Sequence, residues 1–173
     1  MSEWFERFGL AAVDESARLF TGAFPTDADD VAALSDLGIE TVVNLCQDTE
    51  YPQGARSQVE AAMRTAGIEE RRLGLVDFAG FGPAQVEAAV TEVLRQLESG
   101  RRVYLHCRAG QQRSTAVAAG TLALRDRVSL DQALTEIRER KPGARPLEHQ
   151  LVDLRAWYDA RASRAATGGS YNE

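Results

Sequence analysis

The chain has 173 residues, of which 44% are hydrophobic and 27% charged, values typical of one globular domain with an ordinary core. Its formal net charge of −6 argues against a general nucleic-acid binder, because phosphate backbones attract basic surfaces. Two cysteines and two histidines are too few for a disulfide framework and make a structural metal site unfavourable.

Strands and helices alternate along the chain. β-Branched runs predict strands, and apolar stripes at helical spacing, closed by glycines, predict helices. The order is a helix over 26–38, a strand over 39–46, a helix over 55–67, a weak strand over 68–75, a helix over 82–100, a strand over 101–107, and helices over 114–125, 129–140 and 146–161. This order predicts an α/β fold, a central and mainly parallel sheet of four to five strands with helices on both faces. We expect one domain over residues 1–163 and a disordered tail over residues 164–173.

A cysteine stands at the end of the strand "VYLHC", where parallel sheets bind ligands. The loop "CRAGQQR" that follows joins this strand to an apolar helix. Gly110 permits a positive φ, so the loop amides can turn inward as an anion nest, and Arg113 can offer a bidentate fork. The predicted phosphate-binding residues are Arg108, Ala109, Gly110, Gln111, Gln112 and Arg113.

The same surroundings act on the Cys107 sulfur. A helix N-terminus and a neighbouring cation favour a thiolate, which is a nucleophile that can attack phosphorus. His106 alternates with Cys107 along the extended segment, so its side chain is expected to point away and to hold the loop by hydrogen bonds. A buried structural cysteine beside an incidental glycine and arginine is the alternative interpretation.

The segment "HCRAGQQRS" fits the pattern H-C-x-x-G-x-x-R-[S/T] and resembles the signature of the cysteine-dependent protein tyrosine phosphatase superfamily. "LFTGAFPTDADDVAALSDLGIETVVNLC" and "ARPLEHQLVDLRAW" resemble the first and last elements of small dual-specificity phosphatases. Rhodanese-like domains are a rival family with a cysteine loop, usually with a shorter distance from cysteine to arginine.

The resemblance implies catalysis through a phosphocysteine on Cys107. The family takes its general acid from a mobile loop about thirty residues before the cysteine, and this places the role on Asp77, with Asp48 as runner-up. Gly80 and Gly82 are expected to make that loop flexible. By the same resemblance, Ser114 assists the departure of the thiolate, and no metal or cofactor is needed.

Substrate class is less sharply indicated. Phosphoinositide-specific relatives tend to carry lysines in the loop where Gln111 and Gln112 stand here, so a phosphorylated protein is the first expectation, with phosphotyrosine ahead of phosphoserine or phosphothreonine. A phosphoinositide or another small phosphomonoester is the alternative. A weak phosphate-binding module and a redox or sulfur-transfer protein are alternatives of other classes. We expect a cytoplasmic monomer with no signal peptide, no membrane span and no nucleic-acid partner.

Cys46 ends the strand "VVNLC", and some relatives place a cysteine at this point close to the catalytic sulfur. One hypothesis is that Cys46 forms a reversible disulfide with Cys107 under peroxide and so protects it from irreversible oxidation. The other is that Cys46 is a small buried hydrophobic residue.

Overall fold

The fold is built on a five-stranded sheet. The computed structural model describes the backbone of residues 1–168 and the side chains of residues 1–164. Within them the strand order is β1-β2-β5-β3-β4, and only the β1–β2 pair is antiparallel. The strands are β1 (Leu10–Ala12), β2 (Leu19–Gly22), β3 (Thr41–Asn44), β4 (Glu69–Arg72) and β5 (Val103–His106).

Helices cover both faces of this sheet, which confirms the predicted fold. They are α1 (Glu3–Phe8), α2 (Ala28–Asp36), α3 (Ala55–Ala66), α4 (Pro83–Glu98), α5 (Arg113–Asp126), α6 (Leu130–Arg140) and α7 (Glu148–Gly168), with a 3-10 turn over Asp48–Glu50. One apolar core packs α4 to α7 against the sheet, and a second packs α1 to α3 against the other face. α5 is buried along most of its length, as its uniformly apolar sequence predicts.

The central strands bring the functional segments to one edge. β5 lies between β2 and β3, with His106 opposite both Gly22 and Asn44. All three strands run parallel, so their carboxyl ends meet there. Cys107 and the residues that follow β3 therefore leave the sheet side by side.

The N-terminal helix α1 is fixed to the body. Phe5 is buried in the core formed by α1 to α3. The Ser2 backbone N–H and the Ser2 hydroxyl each donate to the buried carboxylate of Asp30, both at a distance of 2.7 Å. The Ser2 hydroxyl also accepts from the Phe5 N–H and caps the helix. Strand β1, which follows α1, was not predicted, because three half-buried residues give no clear alternation.

The expectation of a disordered tail over residues 164–173 stays a prediction. Helix α7 extends to Gly168, and residues 169–173 lie outside the described residues. Among the helices of the described chain, none combines the length and apolar composition that crossing a bilayer requires.

Candidate active site

The cysteine loop lies directly against the end of β2. Gly110 has a φ of +66°, and a Cβ atom there would come within 2.3 Å of the backbone carbon of Gly22. Only glycine meets both the left-handed conformation and the close approach. The predicted role of Gly110 in shaping the loop thus has a specific steric cause.

Neighbouring segments hold the carbonyl groups of this loop. The Arg108 carbonyl accepts from the Phe24 N–H at 3.2 Å and from the Trp4 indole at 2.9 Å, and the Gln111 carbonyl accepts from the Arg145 N–H at 2.7 Å. The N–H groups of residues 108–112 donate to no backbone carbonyl in the described part of the chain. With the carbonyls engaged, these amides remain available to an anion.

Arg113 begins α5 and is completely buried. Its Nη1 donates to Glu50 and to the Leu75 carbonyl, both at 2.8 Å, and its Nη2 donates to the second Glu50 oxygen at 2.6 Å. Burial acts to lower the pKa of Arg113, but the hydrogen bond to Glu50 and the charge of the Cys107 sulfur raise it overall. The buried Nε has no partner within the described residues, so the guanidinium is held firmly and keeps a free donor.

Three predicted catalytic groups meet around this arginine. Cys107 and Arg113 line one pocket of about 320 Å³ together with Asp77. The Cys107 sulfur lies 3.4 Å from the Ser114 hydroxyl oxygen, and an Asp77 carboxylate oxygen lies 2.9 Å from Arg113 Nη2. A thiol, a cation and a carboxylate therefore line one cavity of a size that admits a phosphate and part of its ester group, and the Ser114 hydroxyl lies next to the thiol.

The runner-up acid lies elsewhere. Asp48 is exposed and pairs with Arg72 and Arg56, not with Arg113. Glu50, two residues further on, occupies the position beside Arg113 instead. Burial acts to raise the pKa of Glu50, but hydrogen bonds from Arg113 and from the Gln47 N–H hold it below its ordinary value, so Glu50 is an anion at neutral pH.

His106 and Cys46 lie together behind the loop. The His106 Nδ1 is 3.4 Å from the Cys107 carbonyl oxygen and 4.0 Å from the Cys46 sulfur. Burial lowers the pKa of His106 to about 3, so the ring is neutral. Both cysteines are free and buried, and burial, aided by the charge of Cys107, raises the pKa of the Cys46 thiol.

The sequence reasoning missed two groups of residues at the site. Glu50 could have been suspected, since it follows β3 at the edge where Arg113 points. The aromatic walls, Trp4 and Phe8 from α1 and Phe78 from the loop after β4, depend on tertiary docking and leave no local signal. The Arg108 guanidinium lies over the Trp4 ring, 5.5 Å from its centroid, a distance typical of a cation–π contact.

Comparison with known proteins agrees with this geometry. The family model described as "Polymorphic toxin system, DSP-PTPase phosphatase" matches residues 21–126, more than half of the chain. The rat protein "Phosphatidylglycerophosphatase and protein-tyrosine phosphatase 1" is 26% identical over 165 residues, which cover 95% of this chain and 81% of that protein.

Solved structures share the fold. The crystal structure of PTPMT1 has a TM-score of 0.77 at 24% identity and covers 92% of this chain and 99% of that one. Tk-PTP in its active form has a TM-score of 0.74 at 23% identity, covering 86% and 96%. The chain thus belongs to the DSP-PTPase phosphatase family and is a small, dual-specificity-like member of the cysteine-dependent protein tyrosine phosphatase superfamily.

Proposed function

We propose that this phosphatase hydrolyses phosphomonoesters on proteins, phosphotyrosine first and also phosphoserine and phosphothreonine, through a phosphocysteine on Cys107. The observation that carries the proposal is the state of Arg113, whose buried guanidinium is fixed by Glu50 and keeps an Nε without a protein partner in the described chain. Arg113 lines the same pocket as Cys107. A buried donor without a partner is unfavourable unless a ligand completes it. An oxyanion such as a phosphoryl group does so.

In the first step, the Cys107 thiolate attacks phosphorus and forms the S–P bond while the P–O bond to the ester group breaks. Asp77 donates its proton to the departing oxygen, which leaves as a neutral alcohol. The loop amides and Arg113 stabilise the charge on the equatorial oxygens. For this step Asp77 must be protonated in the substrate complex, whereas Cys107 must be ionised.

In the second step, water attacks the phosphocysteine, the S–P bond breaks and inorganic phosphate forms. The Asp77 carboxylate takes the proton that water loses, which restores the acid. The Ser114 hydroxyl, 3.4 Å from the sulfur, donates a hydrogen bond to the departing thiolate. No step in this cycle uses a metal ion or a cofactor.

The pocket walls support an aromatic ester group. Trp4 and Phe8 form one side and Phe78 another, so the phenyl ring of a phosphotyrosine meets apolar surface beside the cysteine loop. The loop itself offers Gln111 and Gln112, which carry no charge to bind further phosphates of an inositol ring.

A lipid phosphate is the second candidate. The curated relatives carry phosphatidylglycerophosphatase in their names, and a PTPMT1 structure of the same fold was solved with PI(5)P. Val76 and Phe78, beside the pocket, expose 50% and 64% of their surfaces, and such apolar side chains can also meet acyl chains.

Hydrolysis of p-nitrophenyl phosphate by the intact chain and by Cys107→Ser, with and without EDTA, tests the reaction. We expect turnover that Cys107→Ser abolishes, that EDTA leaves unchanged and that Cys46→Ser, the matched control, retains. Turnover that survives in Cys107→Ser, or that needs metal, contradicts the mechanism.

Transfer of sulfur from thiosulfate to cyanide without phosphate release would indicate the sulfur-transfer alternative. Phosphate binding without turnover would indicate the binding module.

Substrate preference needs a separate panel of phosphotyrosine and phosphoserine peptides, phosphoinositides and phosphatidylglycerophosphate in mixed micelles. The proposal expects the highest kcat/KM for a phosphotyrosine peptide. A higher value for either lipid would replace it with the second candidate.

A further inference from the structure

One face of α7 binds the loop that carries Asp77. His149 Nε2 lies 3.1 Å from the Phe78 carbonyl oxygen, and Gln150 Nε2 donates to the Ala79 carbonyl over 3.2 Å. The Phe81 N–H donates to a carboxylate oxygen of Asp153 over 2.7 Å. Residues three and four apart share one side of a helix, so α7 presents these three groups together.

The loop approaches α7 as closely as its sequence allows. A Cβ atom on Gly80 would lie 2.5 Å from the Asp153 carboxylate oxygen, so a larger residue would displace the Asp153 side chain from its contact with the Phe81 N–H. Phe78 has a φ of +58°, an unfavourable conformation for a bulky residue. Such strain persists where the surroundings fix the backbone, and the contacts from α7 supply that constraint.

The support is itself rigid. Leu154 and Trp157 of α7 are buried in the core against α4 and α5, and the Gln150 side chain is fully buried. On the other side of the bound segment, Asp77 is the residue immediately before Phe78 and lies 2.9 Å from Arg113. The loop is thus held between α7 and the cysteine loop, with its carboxylate directed to the phosphate site.

We propose that Asp153, together with His149, is a positioning residue that holds the Asp77 loop closed before substrate binds. The proposal rests on the assignment of Asp77 as general acid under the proposed function. Asp153 does not touch the reacting atoms; it fixes the backbone from which Asp77 reaches them. Gly80 accordingly permits contact with α7, a role different from the flexibility predicted from its sequence position.

Proton donation matters more as the ester oxygen becomes a poorer leaving group. Phenyl phosphate, whose phenolate is basic, and p-nitrophenyl phosphate, whose phenolate is weakly basic, therefore separate positioning of Asp77 from general damage. For Asp153→Ala we expect kcat/KM to fall at least about tenfold more with phenyl phosphate than with p-nitrophenyl phosphate, within the range of general acid catalysis. In an Asp77→Asn background, Asp153→Ala should cause no further loss.

Two variants serve as controls. Asp153→Asn keeps an oxygen acceptor for the Phe81 N–H and should restore most of the phenyl phosphate activity. Asp159→Ala removes an exposed carboxylate from the same helix and should leave kcat/KM unchanged with both substrates. If Asp153→Ala does not fold, His149→Ala, which alters an exposed side chain, takes its place in the same comparison.

Equal losses with both substrates, or a loss that persists in the Asp77→Asn background, would overturn the positioning role. These results are distinguishable from failure of the proposed function, which would appear as wild-type turnover that does not depend on Cys107.

Discussion

Glu50 and Arg113 form a bidentate ion pair, in which Arg113 Nη1 donates to Glu50 Oε1 at 2.8 Å and Nη2 donates to Oε2 at 2.6 Å. The pair joins the turn after β3 to the first residue of α5. It leaves Nε as the donor without a protein partner in the described chain. Glu50 therefore determines which edge of the arginine is offered to a phosphate.

Glu50→Gln should lower kcat/KM for p-nitrophenyl phosphate by about tenfold to a hundredfold and weaken competitive inhibition by inorganic phosphate. The neutral amide of glutamine removes the negative charge of the pair, so Arg113 is less firmly oriented as a hydrogen-bond donor to the transition state. Complete removal of such a donor lowers kcat by about 10²–10³. Steady-state kinetics with phosphate as inhibitor measure both effects.

Glu60→Gln is the control for this change. Glu60 pairs with Arg56 at 2.8 Å, but its side chain is 41% exposed, so its contribution is small. Activity that falls equally in both variants, or phosphate affinity that Glu50→Gln leaves intact, would contradict the role given to Glu50.

Gly110→Ala should abolish most activity, by about a hundredfold or more, while the chain still folds. The added methyl would meet the Gly22 backbone at 2.3–2.6 Å, and backbone cannot rotate away as a flexible side chain can. The cysteine loop must shift, and the amides around the phosphate shift with it. Kinetics and circular dichroism of the same samples test this prediction.

Gly67→Ala separates backbone strain from this collision. Gly67 also has a φ of +70°, but a Cβ atom there meets no atom within 4 Å. Gly67→Ala should lower the free energy of unfolding by about 1 kcal/mol and leave the phosphatase activity unchanged. Full activity in Gly110→Ala would show that the loop tolerates displacement from β2.

The buried, neutral His106 predicts a pH-dependent stability. Its pKa is about 3 in the folded protein and near 6.5 when unfolded. Below pH ~6.5 the unfolded chain binds a proton that the folded chain does not, so the free energy of unfolding falls as pH decreases toward 3. The slope from this residue approaches about 1.4 kcal/mol per pH unit.

Urea unfolding between pH 5 and 7 measures this slope, since His106 of the unfolded chain gains its proton there while carboxylates stay largely ionised. His106→Asn should flatten the dependence of the unfolding free energy on pH. An unchanged slope in His106→Asn would show that this ring does not carry the dependence.

The hypothesis that Cys46 is a redox partner of Cys107 stays open beside the alternative of a small buried hydrophobic residue. Peroxide would first convert Cys107 to a sulfenic acid; attack by the Cys46 sulfur then forms the disulfide and releases water. Because burial raises the pKa of Cys46, we expect this thiol to act as the second partner and not to react first with peroxide.

Mass spectrometry after mild peroxide treatment should detect a Cys46–Cys107 cross-link that dithiothreitol removes with recovery of activity. Cys46→Ala should instead accumulate Cys107 sulfinic acid and stay inactive. If the wild-type chain gives only the sulfinic acid, Cys46 is simply a buried apolar residue packed beside Phe24 and Tyr51.

Short-range sequence patterns predicted the helices, most of the strands and the cysteine loop. The alternation of β-branched runs and capped helices predicted the sheet and its helical layers, and the five residues between Cys107 and Arg113 predicted the loop. The separation of thirty positions from Asp77 to Cys107 sufficed, with the family resemblance, to select a carboxylate that lies in the same pocket.

Other contacts depend on which strands and helices become neighbours. Glu50 reaches Arg113 because β3 lies beside β5, an order that hydrophobic periodicity does not encode. Asp153 reaches Phe81 across 72 positions of sequence, so an amphipathic helix pattern gives no sign of that contact. The close approach of Gly80 to Asp153 has the same origin, since a glycine that permits close packing and one that permits motion look alike in a sequence.

The contact between Ser2 and Asp30 has a practical consequence for enzyme preparations. Trp4 and Phe8 reach the pocket only while α1 stays docked, and Ser2 contributes to that docking together with the buried Phe5. A sample in which a contaminating protease has removed the residues before Glu3 from part of the chains would contain two enzyme species, the intact chain and the trimmed chain. Such a sample should give curved saturation plots and Michaelis constants that differ between batches. Intact-mass measurement of the amino terminus should therefore accompany every kinetic comparison between variants.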